Sequence, residues 1–346
     1  MAKQQLLRHG PLLDQDGRLA QAGYATSLVK KYDRTAIRVP WFRIKEWDYY
    51  LVTCDRYAVA MTIADNSYMG LDSISLLDFE NNWQHTNSPM RIMTRGKTGL
   101  PATSAEGDAH IRDKGYEITF RNNGKVRRLT AHMDNFIAGK PIDIDITLTD
   151  EPHDSMVIAT PFAGHPKHFY YNQKINCLRA EGECRFDGRV FRFEPDSACG
   201  VLDWGRGVWT YKNAWYWGSG SGWQDGRRIG WNLGYGFGDT SAASENMLFV
   251  DGTAHKLGRI TFNIPQKDGK DDFLSPWTVD SDDDRVQLTF TPIMDRASNT
   301  DFVILGSNQH QVFGWFDGHF ILDNGEKLPV THFLAFAEKV KIEQKA

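Results

Sequence analysis

The chain has 346 residues, 41% of them hydrophobic and 24% charged, with a formal net charge of −4. This is an ordinary globular composition, and at roughly 150 residues per domain the length suits two domains or one large one. The mild acidity argues against a bulk electrostatic grip on nucleic acid, and no apolar run reaches the ~18 residues that a stable membrane insertion needs.

In chain order, Asp16-Gly17 is the first turn signal, and Trp41, Trp47, Asp48 and Asp65-Asn66 read as packing and turn residues. Tyr116-Glu117-Ile118-Thr119-Phe120 and Ile142-Asp143-Ile144-Asp145-Ile146-Thr147-Leu148 alternate apolar and polar without a break, as antiparallel strands covering a core do. Glu151-Pro152-His153-Asp154 and Pro161-Phe162-Ala163-Gly164-His165-Pro166 are breaks, which predict a domain change near residue 160: an N-terminal unit over 1–160 and a C-terminal unit over 161–346. Hairpin pairs follow at Asp187-Gly188, Asp225-Gly226, Asp251-Gly252, Asp268-Gly269, Asp317-Gly318 and Asn324-Gly325, after an earlier one at Asn123-Gly124. Thr240 to Asn246 predicts a single capped helical turn. Asp280 to Asp284 is an acidic turn without the alternating ligands of a calcium loop. Val286-Gln287-Leu288-Thr289-Phe290 closes the series of clean strands. The expectation is an all-β chain of about twenty strands with few short helices, built as two antiparallel β-barrels packed together.

Cys54, Cys177, Cys184 and Cys199 form no Cys-x-x-Cys, and the histidines lack metal-ligand spacing, so neither a metal nor a cofactor is expected. Met1-Ala2-Lys3-Gln4-Gln5 opens without the apolar stretch of a signal peptide, which reads as a cytoplasmic protein with free, buried thiols; a Cys177–Cys184 bridge would need an oxidising compartment.

The informative block runs from Cys199 to Gly258. Six of the 11 Trp lie between Trp204 and Trp231, and 11 of the 31 Gly lie between Gly200 and Gly238. Large rings beside missing side chains predict a concave wall: the rings line it and the glycines make room. Pure core packing is the competing reading. Charges inside so apolar a block need partners or a function. Asp203 and Glu245 are therefore the candidate proton-transfer groups. Trp204, Arg206, Trp215, Trp217, Trp231, Asn232, Tyr235, Asp239 and Asn246 are the candidate substrate contacts. An Asp203–Arg206 or Glu245–Arg206 bridge and a turn role for Asp239 are the structural alternatives. Gly234-x-Gly236-x-Gly238 follows no βαβ pattern, and Ser219-Gly220-Ser221-Gly222 lacks a strand–turn–helix setting, so neither a dinucleotide loop nor a nucleophile elbow is present.

Arg179-Ala180-Glu181-Gly182, Leu202-Asp203-Trp204-Gly205-Arg206-Gly207, Trp215-Tyr216-Trp217-Gly218, Asn232 through Ala242, and Glu245-Asn246-Met247-Leu248-Phe249 resemble a bacterial family of unknown function numbered 2804. The resemblance extends from Gly10-Pro11-Leu12 to Phe336-Ala337-Glu338-Lys339-Val340. That family is remotely similar to the carotenoid 1,2-hydratase-like group, which includes fungal pericyclic cyclases and a ceramide-carrying survival factor. The similarity implies two lipocalin-like barrels and transfers no site residue. Three functions remain open. One is a hydratase, lyase or isomerase acting on a hydrophobic small molecule by carboxyl general-acid chemistry. Another is a non-catalytic lipid or terpenoid carrier. The third is a carbohydrate-active protein with paired carboxylates and Trp stacking. The expected partner is a hydrophobic or amphipathic small molecule; oligomeric state is not legible.

Overall fold

The structure is a computed structural model that describes the backbone of residues 4–301 and 305–344 and the side chains of 4–298 and 307–342. Alternation becomes strand throughout. In Lys140–Thr149, Ile142, Ile144, Ile146 and Leu148 are buried while Asp143 and Asp145 face solvent. The chain is all-β, with two single-turn 3-10 helices among the described residues, at Arg34–Ala36 and Trp41–Arg43. The helical turn expected over Thr240 to Asn246 does not form; the Asp239 carboxylate instead accepts the Ser241 N–H at 2.9 Å in a side-chain turn. Among the described residues no helix is long and apolar enough to cross a membrane.

Two large sheets carry the fold. The first has 14 strands and the second nine. The first sheet curls until Trp83–Asn87 meets Arg127–Ile137, where His85 Nε2 and Asn87 Nδ2 both lie 3.0 Å from the Phe136 carbonyl. The second curls until the Phe262 N–H reaches the Tyr235 hydroxyl at 3.4 Å. Each barrel is filled. Tyr32, Phe120, Phe136, Tyr171 and Trp204 pack inside the first, and Trp231, Trp277, Phe290, Phe316 and Phe333 inside the second. Apart from the small parallel pair Gly10–Pro11 and Lys30–Lys31, strands up to Cys199–Val208 pair into the first sheet, and Asn213–Gln224 begins the second. The change of sheet therefore falls between Val208 and Asn213, not near residue 160. The turn chemistry at Glu151 to Pro166 marks corners inside one sheet, because Met156–Phe162 pairs with His165–Phe186 directly after it.

The Asp-Gly pairs behave as hairpin turns at Asp187-Gly188, Asp225-Gly226, Asp251-Gly252 and Asp268-Gly269, where both residues have positive φ. Asp317-Gly318 does not; it lies in the register shift between Phe316 and Gly318, inside the strand Leu305–Ile321. All four cysteines are free and buried.

The barrels are joined at a bulge. His165–Phe186 shifts register between Ile175 and Leu178, where Cys177 takes φ 61°. The bulge turns Asn176 out of its own sheet. Its amide nitrogen lies 2.8 Å from Ser219 Oγ, 3.0 Å from the Gly220 carbonyl, 3.2 Å from Ser221 Oγ and 3.0 Å from the Trp231 carbonyl. Gly230 permits the approach, because a Cβ there would stand 2.4 Å from Cys177 Sγ. Asn176→Ala removes the shared donor from buried acceptors and should cost about 2 kcal/mol. A lowered urea midpoint with an unchanged far-ultraviolet spectrum is the expected result; an unchanged midpoint would place the joint elsewhere.

Candidate functional site

The cavity that gathers the chemistry has a volume of about 710 Å³ and lies between the barrels, not inside either one. Its walls are outward faces of strands, and register sets their order. On the first barrel Ser73, Thr62, Tyr49, Asp203 and Lys174 are successive cross-strand partners, one residue from each of five strands. On the second, Arg296, Gln311, Glu338, Trp217 and Gly234 are successive partners in the same way. The two rows face each other. The Gln311 amide lies 3.5 Å from the Tyr49 hydroxyl, Tyr49 packs edge-on to Trp217 at 6.2 Å, and Lys174 Nζ sits 4.7 Å from the Trp217 ring centre. Beyond the rows, Trp47, Tyr170, Trp209, Trp215 and Phe237 form one aromatic end: Trp47 stacks on Tyr170 at 5.9 Å, and Phe237 meets Tyr170 edge-on at 4.7 Å.

Among the described residues three carboxyl groups line this space: Asp203, Glu245 and Glu338, all buried. Lys174 Nζ contacts Glu245 Oε2 at 2.9 Å. Burial opposes the Lys174 charge, but Glu245 and Asp203 outweigh it and hold the ammonium above its ordinary pKa. Gly234 makes room for Glu245, whose Oε1 lies 2.7 Å from where a Cβ would stand. Asn232 secures the same carboxylate, donating to the Glu245 carbonyl at 2.8 Å and to Oε2 at 3.2 Å, while its own oxygen accepts the Trp217 indole N–H at 2.7 Å. Burial raises the Asp203 pKa, although Lys174, the Asn172 amide at 2.6 Å and Trp47 all favour the ionised form. Glu338 is displaced further. Its oxygens accept from Gln309 at 3.0 Å and Trp215 at 3.2 Å, yet burial lifts it to about 7. Burial, then Asp203, Glu245 and Glu338, push the Tyr170 phenol well up. Among the described residues no group of three His, Cys, Asp or Glu is placed to hold a metal ion.

A family model described as "Domain of unknown function (DUF2804)" matches residues 3–343. The chain belongs to DUF2804. No curated protein sequence matches this DUF2804 chain. Its fold is like that of a protein provisionally named AttH from Nitrosomonas europaea, at TM-score 0.52 and 11% identity over 96% of this chain and 99% of that one. Kievitone hydratase from Nectria haematococca also matches, at TM-score 0.46 and 12% identity, covering 97% and 99% of the two chains. CghA does so at TM-score 0.44 and 9% identity, covering 96% and 97%. At such identities the likeness is one of fold alone, the double lipocalin-like architecture.

Within this DUF2804 fold, Asp203, Glu245, Trp215 and Trp217 stand in the cavity wall, and Asn232 lies one hydrogen bond behind it. The other expected contacts lie elsewhere. Trp204 and Arg206 alternate with Asp203 along Cys199–Val208 and turn into the first barrel, where Trp204 packs against Tyr32 and Tyr171. Arg206 pairs with Asp48 at 2.9 Å, not with Asp203 or Glu245. Trp231 fills the second barrel, and Tyr235 stacks on Tyr216 at 4.5 Å. Asn246 ties the Gly234 N–H to the Gly258 carbonyl, at 2.6 and 2.8 Å. Asp239 serves its turn. Sequence reasoning missed Lys174, Arg296 and Glu338, and assigned Trp47 to packing. Glu338 sits in Phe336-Ala337-Glu338-Lys339-Val340, where an acid directly after the apolar run Phe333-Leu334-Ala335-Phe336-Ala337 was the available signal.

The Glu338 displacement predicts a pH dependence. Its pKa is about 7 folded against 4.5 unperturbed, so the folded state binds this proton more tightly. Stability from this group is complete below about pH 4.5 and is lost as pH rises toward 7. Glu338→Gln should therefore gain stability relative to wild type across that window, on the order of 3 kcal/mol by its upper end. Parallel stability–pH curves for the two proteins would show that Glu338 ionises normally.

Proposed function

We propose that the inter-barrel cavity carries out proton-transfer chemistry on a hydrophobic small molecule, as a hydratase, dehydratase or isomerase, with Glu338 as the proton donor. One observation carries the reading: three buried carboxyl groups share an aromatic-lined space in which the ammonium of Lys174 contacts only one of them. Burial then keeps a carboxyl protonated near neutral pH, and Glu338 is the one displaced to about 7. A non-catalytic carrier would gain nothing from acids in its interior and would keep its charges at the rim.

In the hydration direction, the Glu338 carboxyl gives its proton to one carbon of an alkene. Positive charge develops on the neighbouring carbon, where the faces of Trp47, Trp215 and Tyr170 stabilise it. A water oxygen bonds to that carbon, and its proton passes to the Asp203 carboxylate. Asp203 releases the proton to solvent, and Glu338 recovers one. The sum is alkene plus water giving alcohol; loss of a different proton instead gives the isomer. Lys174 and Glu245 neutralise each other and hold the cavity floor. Because Glu338 must be protonated, the rate falls as pH rises through about 7.

The test is deuterium incorporation at carbon from D2O, followed by mass spectrometry over a panel of lipophilic alkenes and tertiary alcohols. Wild-type protein should label at least one compound. Glu338→Gln should label it about 10²- to 10⁴-fold more slowly while the protein stays folded. Labelling at the wild-type rate by the variant would overturn the assignment, as would a panel that wild type leaves unlabelled.

A further inference from the structure

The cavity has a second pole that the proton-transfer reading does not use. Arg296 lines it from the strand Val286–Asp301 and lies at the start of the second barrel's row, two strands from Glu338. Every acceptor it contacts is neutral. Nε lies 3.2 Å from Thr86 Oγ1, Nη1 2.8 Å from Gln311 Oε1, and Nη2 2.7 Å from Ser75 Oγ. Among the described residues no carboxylate comes within ion-pair distance of it, although most arginines of similar burial here, such as Arg91 with Asp72 and Arg127 with Glu151, have one. The Tyr49 hydroxyl also lies within hydrogen-bond reach of the guanidinium. A guanidinium has five N–H donors, so these four neutral partners leave one free. They fix the plane of the fork without discharging it. Around it the wall is hydroxyl and amide, from Ser73, Thr86, Gln84 and Gln309, whereas the opposite end is the aromatic group of Trp47, Tyr170, Trp209 and Phe237.

We infer that Arg296 is a carboxylate-binding subsite, and that the cavity takes an amphipathic carboxylic acid whose apolar body lies on the aromatic end. A planar fork that keeps its full charge and a free donor suits a carboxylate. Thr86, Ser75 and Gln311 act as positioning residues for the fork. Arg296 and Glu338 are two strand spacings apart, roughly 10 Å. The carboxylate and the reacting carbon are therefore separated by several bonds. This inference rests on the proton-transfer reading for the word "reacting" only; the subsite itself is tested by binding.

The experiment is isothermal titration calorimetry of the full chain with 6-phenylhexanoate and 6-phenylhexan-1-ol, probes that differ only at the polar end. Wild type should bind the acid about tenfold or more tightly than the alcohol. Arg296→Gln should lose that preference while its affinity for the alcohol stays within about twofold, and Arg296→Lys, which keeps the charge and loses the fork, should retain part of it. A merely structural role would weaken both probes alike. Equal binding of the two probes to wild type, failure of the acid to bind, or an undiminished acid preference in Arg296→Gln would each overturn the subsite. Glu338→Gln, neutral like the protonated carboxyl, should retain or strengthen the preference for the acid, so a failed proton-transfer reading and a failed subsite give different results.

Discussion

The contact between Lys174 and Glu245 governs the site. It joins a strand of the first barrel to the connection between Arg227–Tyr235 and Met247–Val250 in the second, and both side chains are buried. Two ions removed from water attract strongly enough to offset their desolvation only when their other hydrogen-bonding positions are filled. Asn232 fills them on the Glu245 side, and Trp217 on the Lys174 side through its ring face. The pair therefore fixes the relative placement of the two barrels and commits the Lys174 ammonium to direct contact with Glu245, while Asp203 feels it only through space. Replacing Lys174 alone would leave three carboxyl groups with no neutralising ammonium in contact, a change that buried pairs tolerate at a cost of about 3–5 kcal/mol.

The geometry of the walls follows from the same docking. The inter-barrel contact consists of two apolar clusters. One is built on Leu51, Leu77, Trp217, Phe313 and Phe336, and the other on Ile158, Tyr170, Trp209, Phe237 and Phe249. Trp215 packs against both clusters, and the cavity opens between them. Because the barrels are solid, Lys174, Asp203, Arg296 and Glu338 project from paired strands, and Glu245 reaches the cavity from a connection. Neighbouring strands hold the first four in register, and side chains on such elements are placed more precisely than side chains on loops.

Period-2 alternation, the Asp-Gly hairpins and the absence of helical periodicity made the all-β fold legible, since each is a local property of strands. The cavity was legible only in part. Asp203, Glu245, Trp215 and Trp217 stood out because they lie among glycines and rings. Trp204 and Arg206 stood out for the same reason and were misplaced, although alternation already separates 203 from 204 and 206. Trp47, Lys174 and Glu338 could not be found by such a reading. Alternation shows that a strand has two faces, but not whether the polar face meets water or another barrel, and only the docking of two sheets far apart in sequence decides that. The change of sheet after Val208 was not legible for a related reason: a corner within a sheet and a passage between sheets use the same Pro and Gly chemistry.

The two poles of the cavity are also coupled electrostatically. Burial raises Glu338, and Arg296 opposes it by favouring the carboxylate. A carboxylate bound on Arg296 cancels that opposing field and adds a negative charge of its own, so Glu338 holds its proton more firmly when the subsite is filled. Lys174 cannot compensate, because Glu245 and Asp203 already engage it. By reciprocity, a protonated Glu338 favours carboxylate binding by the same free energy. On the proposed reading, an acidic ligand thus increases the population of the protonated Glu338, and this requires no conformational change, only a cation shared between a binding group and an acid two strands away.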